Sequence, residues 1–229
     1  MTHGDSLSLT IDATHRSLEQ RLEGMLVPAR GRRHTRDVYA AVDAFLAATS
    51  RHLAAVDAVL LPLVRKRVPD GAAFVHEYLD QARDLEMRLA SLKARLYGEA
   101  HAVHLSWAGL CSDVRQELLQ HNAMEQTLVG RLVTHLDASM LNGLAQQVFR
   151  YEVTAPTRPH PHIPHTGMPG RVARRVWAQA DRFWDTAEGR VIPDPVRPVP
   201  HRHDSLVAQY LLGDPHFDIG ASVLQHRRG

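Results

Sequence analysis

The chain has 229 residues, 44% apolar and 23% charged, with a formal net charge of +2. That length suits one domain of roughly 150 residues plus an extension, and arginines that are scattered rather than striped argue against a nucleic-acid partner. The polar first twenty residues and the lack of an apolar run of ~20 residues argue against a secretory leader or a membrane span. One cysteine, Cys111, excludes an internal disulfide and fits a reducing, cytoplasmic compartment. Histidine, at 16, is the unusual count.

In chain order, the first helical stretch is predicted from Ser8 to Val27, with Leu18, Leu22 and Leu26 on one stripe. Asp12 is a candidate cap for a later start, and Pro28 and Gly31 end it. The second runs from Thr35 to Arg67 and carries Val38, Val42, Phe45, Ala48, His52, Ala55, Val59 and Leu63 at spacings of three or four. Pro62 kinks it or ends it near Leu61. The third opens after Pro69 and Asp70, follows Val75, Leu79, Leu85, Leu89, Leu92 and Leu96, and closes at Gly98. The fourth runs from Val103 to His135 through Leu110, Val114, Leu118, His121, Leu128 and Leu132. Short connections between long helices favour antiparallel neighbours, so the pattern predicts an all-α, up-down four-helix bundle over residues 8–136.

Residues 137–229 read as an extension packed on that bundle. A short helix is expected over Ala138–Tyr151, and five prolines keep Ala155–Pro169 irregular. A further amphipathic helix spans Gly170–Ala187. Its apolar stripe of Val176, Trp177, Ala180, Phe183 and Trp184 is expected to bury against the outside or end of the bundle. A proline-rich stretch follows, then a last short helix over Asp204–Leu212.

The chemistry concentrates in His15, His52, His76, His121 and Glu125. Each histidine falls on a different predicted helix, and such a set lets a bundle hold a metal in its core. Residues four apart share a helix face, so His121 and Glu125 can address one ion. The same offset from His52 reaches Val56, which is no ligand. Asp57, five after His52, points elsewhere in a regular helix and joins the set only through a π-bulge.

The order of one histidine, then His-x-x-x-Glu (here with Val56 at the Glu position), then one histidine, then His-x-x-x-Glu, on four helices with His15, His52, His76 and His121 spaced 37, 24 and 45 residues apart, resembles the hemerythrin-like (HHE cation-binding) domains. The local runs Thr14-His15-Arg16, Asp57-Ala58-Val59-Leu60-Leu61-Pro62 and His121-Asn122-Ala123-Met124-Glu125-Gln126 carry the likeness over about residues 10–136. The run from Ala155 to His162 looks like a tail found on such domains in actinobacteria. The resemblance implies a non-haem di-iron centre with histidine ligands and two bridging carboxylates, which binds or senses dioxygen, nitric oxide or iron, or handles peroxide. Glu125 is one bridge; Val56 stands where the other belongs, and Ala72 where richer members carry an extra histidine. Three outcomes stay open: Asp57 compensates, one ion binds, or the pocket holds no metal and the bundle is an interaction module.

Other signals are weaker. His160-Pro161-His162-Ile163-Pro164-His165 is held extended by its prolines, so its imidazoles converge poorly. Position 80 is Asp, so His76-Glu77 is not a zinc-protease motif. Cys111 reads as an inert core residue, and Tyr78, opposite His76 on the helix, is not counted as a ligand.

Overall fold

The computed structural model describes residues 5–26, 35–160 and 167–198, the side chains of 35 and 167–175 excepted. The predicted ends at Pro28 and Gly31, the tract beyond His160 to His165 and the helix over Asp204–Leu212 lie outside them. The described residues form α1 (Ser6–Leu26), α2 (Thr35–Val59), α3 (Leu61–Arg67), α4 (Gly71–Leu96), α5 (Trp107–Val133), α6 (Ala138–Thr154) and α7 (Gly167–Glu188), with no strand among them.

Local chemistry sets the ends. Asp5, not Asp12, caps α1: its carboxylate accepts from Ser8 N at 2.8 Å and from Ser8 Oγ at 2.6 Å. Pro62 has no N–H to continue the ladder, and the break falls at Leu60, between α2 and α3. A side chain at Gly71 would overlap Val64 O, so only glycine lets α4 start this close to α3. Gly98, at φ 72°, turns the chain out of α4. Ser106 Oγ accepts from Gly109 N to cap α5, and Asp137 Oδ1 accepts from Met140 N to cap α6.

Two apolar clusters build the core. One gathers Leu7 and Ile11, Ala55, Val56 and Leu60, Phe74 and Val75, and Leu128 and Leu132. The other gathers Leu18 and Leu22, Phe45 and Leu46, Leu85 and Leu89, and Val114 and Leu118. Thus α1 and α4 run from the first cluster to the second, while α2 and α5 run back. This is the up-down bundle that the periodicity predicts. α2 and α3 together are long and apolar enough by composition to cross a membrane, but 67% of their apolar 18-residue window is buried inside the protein.

α6 belongs to the core rather than to an added tail. Leu141, Leu144, Ala145 and Val148 are buried in the first cluster, and the helix packs along α1 and α2. α7 corrects the expectation from its stripe. Val176, Trp177, Phe183 and Trp184 are 43–67% exposed, while Ala178, Asp181 and Asp185 on another face are buried. The extension docks through charge. Asp181 accepts from Thr157 N at 2.8 Å, Asp185 from Thr157 Oγ1 at 2.6 Å, and Arg190 bridges Asp185 on α7 and Asp43 on α2.

Candidate metal centre

A polar layer lies between the two apolar clusters, one turn from each. His15 on α1, His52 on α2, Tyr78 on α4, and His121 with Glu125 on α5 each occupy a buried stripe of their helix. On α5 the stripe is Val114, Leu118, His121, Glu125, Leu128 and Leu132, an unbroken alternation of four and three. The helical period therefore carries His121 and Glu125 inside with the leucines.

Glu125 is the hub. Its Oε2 lies 2.7 Å from His15 Nε2 and 2.8 Å from His52 Nε2. Its Oε1 lies 2.9 Å from His121 Nε2 and accepts from the Tyr78 hydroxyl at 2.6 Å. Ligand atoms of His15, His52 and Glu125 all lie within 4.8 Å of one another, the spread of donors around one cation. All these side chains are at least 97% buried.

The far nitrogens of two rings are held from outside. His52 Nδ1 lies 2.7 Å from Glu152 Oε1 on α6. His121 Nδ1 meets Gln81 Oε1, and Gln81 Nε2 donates to Glu117 O, which fixes the amide so that its oxygen faces the ring. Both Nδ1 atoms are therefore donors. A neutral imidazole has one N–H, so in neutral rings the Nε2 lone pairs of His52 and His121 would point at the Glu125 carboxylate. That arrangement is repulsive unless positive charge sits between them. Two protons supply it, and so does one divalent cation. Either choice offsets the carboxylates of Glu125 and Glu152.

The electrostatics follow from this geometry. Burial opposes the charge on His52, but the charge of Glu125 and the hydrogen bonds that Glu125 and Glu152 accept from the ring overcome it and raise the pKa to about 10. Burial likewise opposes the Glu125 charge, yet His52 and His121 hold this carboxyl well below its usual range. Burial pushes the Tyr78 phenol well above its usual range, and the charges of Glu125 and Asp57 add to that. A cavity of about 20 Å³ lies against Glu152, walled by Thr14, Leu18, Ala48, Arg51 and Pro193; it has room for one water.

Of the residues singled out in the sequence, the structure brings His15, His52, His121 and Glu125 together and leaves two apart. The His76 side chain is 82% exposed and pairs with Asp80 at 3.6 Å, so it is not in the layer. α4 turns Val75, Tyr78, Ala82 and Leu85 inward, and His76 lies about 100° away from Val75. Tyr78 takes the place expected of His76. α2 keeps regular α-helical turns past His52, with no bulge, so Asp57 stays off the cluster, buried in range of Tyr78. Val56 is fully buried in the first apolar cluster. His101, His104 and His135 face solvent. Sequence reasoning missed Glu152 and Gln81. Glu152 had a signal: it follows Leu141, Leu144 and Val148 on the buried stripe of α6.

An all-helical bundle with imidazoles from three helices around a buried carboxylate is a cation-binding architecture. The chain belongs to the hemerythrin family: the description "Hemerythrin HHE cation binding domain" matches residues 7–133. No curated protein and no solved structure matches the chain.

Proposed function

We propose that this hemerythrin-family chain is a non-haem iron protein that holds one ion and uses it to bind or sense dioxygen or nitric oxide. His15, His52 and His121 supply imidazole nitrogens, Glu125 supplies the anionic oxygen, and Tyr78 places a phenol beside them. The observation that carries the reading is the convergence of Nε2 lone pairs on Glu125 while Glu152 and Gln81 occupy the opposite nitrogens. Imidazole and carboxylate together suit iron among the common transition metals.

One ion, not two, fits the donors. The family's second bridging position is Val56, packed among Leu7, Ile11 and Leu60. The third-helix histidine, His76, faces solvent. When bound, the iron supplies an open coordination position for a diatomic ligand. The protein's part is to orient three rings, to exclude bulk water by burial, and to offer the Tyr78 hydroxyl as a hydrogen-bond donor beside Glu125.

The test is iron content per chain after purification from iron-supplemented cells, read beside the near-ultraviolet and visible spectrum. Close to one iron, with a new absorption band on anaerobic addition of nitric oxide, supports the reading. Two irons with oxo-bridge charge-transfer bands overturn the single-ion assignment. No stoichiometric metal overturns the cofactor altogether and leaves a bundle whose polar layer is filled by protons.

A further inference from the structure

We propose that Glu152, on α6 and beyond the family-matched residues, is a positioning residue of the metal centre: it holds His52 so that its Nε2 faces the ion. The inference rests on the single-ion reading above and concerns a part of the chain that the reading does not use.

Three features of the structure single out Glu152. It sits on the buried stripe of α6, one turn after Val148, where an apolar residue would continue the pattern; instead a carboxyl is 97% buried. Its Oε1 lies 2.7 Å from His52 Nδ1, on the far side of the ring from Glu125. The residue before His52 holds its backbone: Arg51 Nε donates to Glu152 O at 2.6 Å, and the same guanidinium donates to Val153 O at 3.0 Å and Pro193 O at 2.8 Å. An arginine on the last carbonyls of a helix fixes that helix end. Thus Arg51 ties down the end of α6 that carries the Glu152 side chain to His52.

The chemical consequence is specific. A carboxylate on one imidazole nitrogen keeps the proton there, frees the other nitrogen as a ligand, and makes it a stronger donor. The three rings are not equivalent in this respect. His52 has a carboxylate, His121 has only the Gln81 amide oxygen, and His15 Nδ1 has no hydrogen-bond partner among the described residues. Glu152 therefore makes His52 the strongest of the three nitrogen donors. It also makes α6 part of the site.

The test compares the full chain with its Glu152→Gln and Glu152→Ala variants, using cobalt(II) as the probe. Glutamine keeps the shape and the acceptor oxygen but removes the charge. Affinity is read by calorimetry, and the hyperfine-shifted, solvent-exchangeable ring N–H proton of His52 is read by proton NMR. Cobalt affinity is expected to fall about 10- to 100-fold in Glu152→Gln, with that N–H signal displaced, while the far-ultraviolet circular dichroism stays close to that of the parent. In Glu152→Ala the N–H signal should disappear through exchange with water. Parent-like affinity and an unmoved N–H signal in Glu152→Gln overturn the proposal and leave the single-ion reading intact. Failure of the parent chain to take up cobalt overturns that reading, and this proposal with it.

Discussion

The Tyr78 hydroxyl lies 2.6 Å from Glu125 Oε1 and 3.0 Å from His121 Nε2, while His76, two residues earlier on the same helix, faces solvent. The third helix of the bundle thus contributes a phenol to the polar layer rather than an imidazole. Tyr78→Phe removes a phenolic donor to a fully buried carboxylate. It is expected to destabilise the metal-free fold by about 1–3 kcal/mol, read by urea denaturation. His76→Ala removes an exposed side chain and should change stability by less than about 0.5 kcal/mol, with iron content unaltered. A large loss of iron in His76→Ala would return that residue to the ligand set.

The exchange of protons for a metal ion gives a second prediction. The folded-state pKa of His52 is raised to about 10, so its pairing with Glu125 stabilises the metal-free protein fully below the ordinary imidazole pKa of 6.5. That contribution fades as pH climbs from there toward 10. Glu125 is depressed, so its contribution is present above the ordinary 4.5 and is lost as pH falls below it. The metal-free chain should therefore melt highest between these two values and lose stability steadily on the alkaline side. Metal binding at pH 7 should release protons, the one on His52 Nε2 among them. Calorimetry in buffers of different ionisation enthalpy counts them; release of none would mean that the ion binds elsewhere.

Much of this was legible in the sequence, and the failures are instructive. The period of three and four gave every long helix and the antiparallel bundle, because burial of one stripe dominates helix packing. His15, His52, His121 and Glu125 were legible for the same reason: each keeps phase with the leucines around it. His76 was misplaced because the expected stripe on α4 stepped from Val75 to Leu79 and then to Leu85, a gap of six that breaks phase. The stripe that the structure buries, Val75, Tyr78, Ala82, Leu85, Leu89 and Leu92, never breaks it. His76 instead shares the outer face with Asp80 and Arg83. α7 failed differently. Its aromatic stripe is real, but which face docks depends on Arg158 and Arg190, whose pairing with Asp181 and Asp185 is not a periodic signal.

Val56 tests whether the missing carboxylate alone separates this site from a two-ion centre. In Val56→Glu the new side chain would stand one turn from His52 but among Leu7, Ile11, Ala55 and Leu60. An unpaired carboxyl there costs several kcal/mol or stays protonated. The third-helix histidine still faces solvent, so a second ion would lack a terminal nitrogen. The expected result is a lower melting temperature in the metal-free form and iron content still close to one per chain. Two irons per chain in this variant would show that Val56 was the only obstacle.

Arg190 tests how the segment after α6 is held. Its side chain is 5% exposed and lies 3.1 Å from Asp43 Oδ1 on α2, with its other amine on Asp185 of α7. Tyr97 from the end of α4 donates to the same Asp43 carboxylate at 2.9 Å. Removing one partner of a buried ion pair is strongly destabilising because it leaves the other charge unpaired, typically by about 3–5 kcal/mol. Here two carboxylates lose their common cation in Arg190→Ala. The bundle itself owes its stability to the two apolar clusters, neither of which includes a described side chain of α7. The loss should therefore be local, with faster hydrogen exchange in α7 and limited proteolysis cutting after Thr154, while α1, α2, α4 and α5 keep their protection and the iron content is unchanged. Arg190→Lys should recover only part of the protection, since an ammonium cannot span both carboxylates with the fixed fork of a guanidinium. Global unfolding of Arg190→Ala, with α5 losing protection together with α7, would instead make this charge pair part of the core that supports the metal layer.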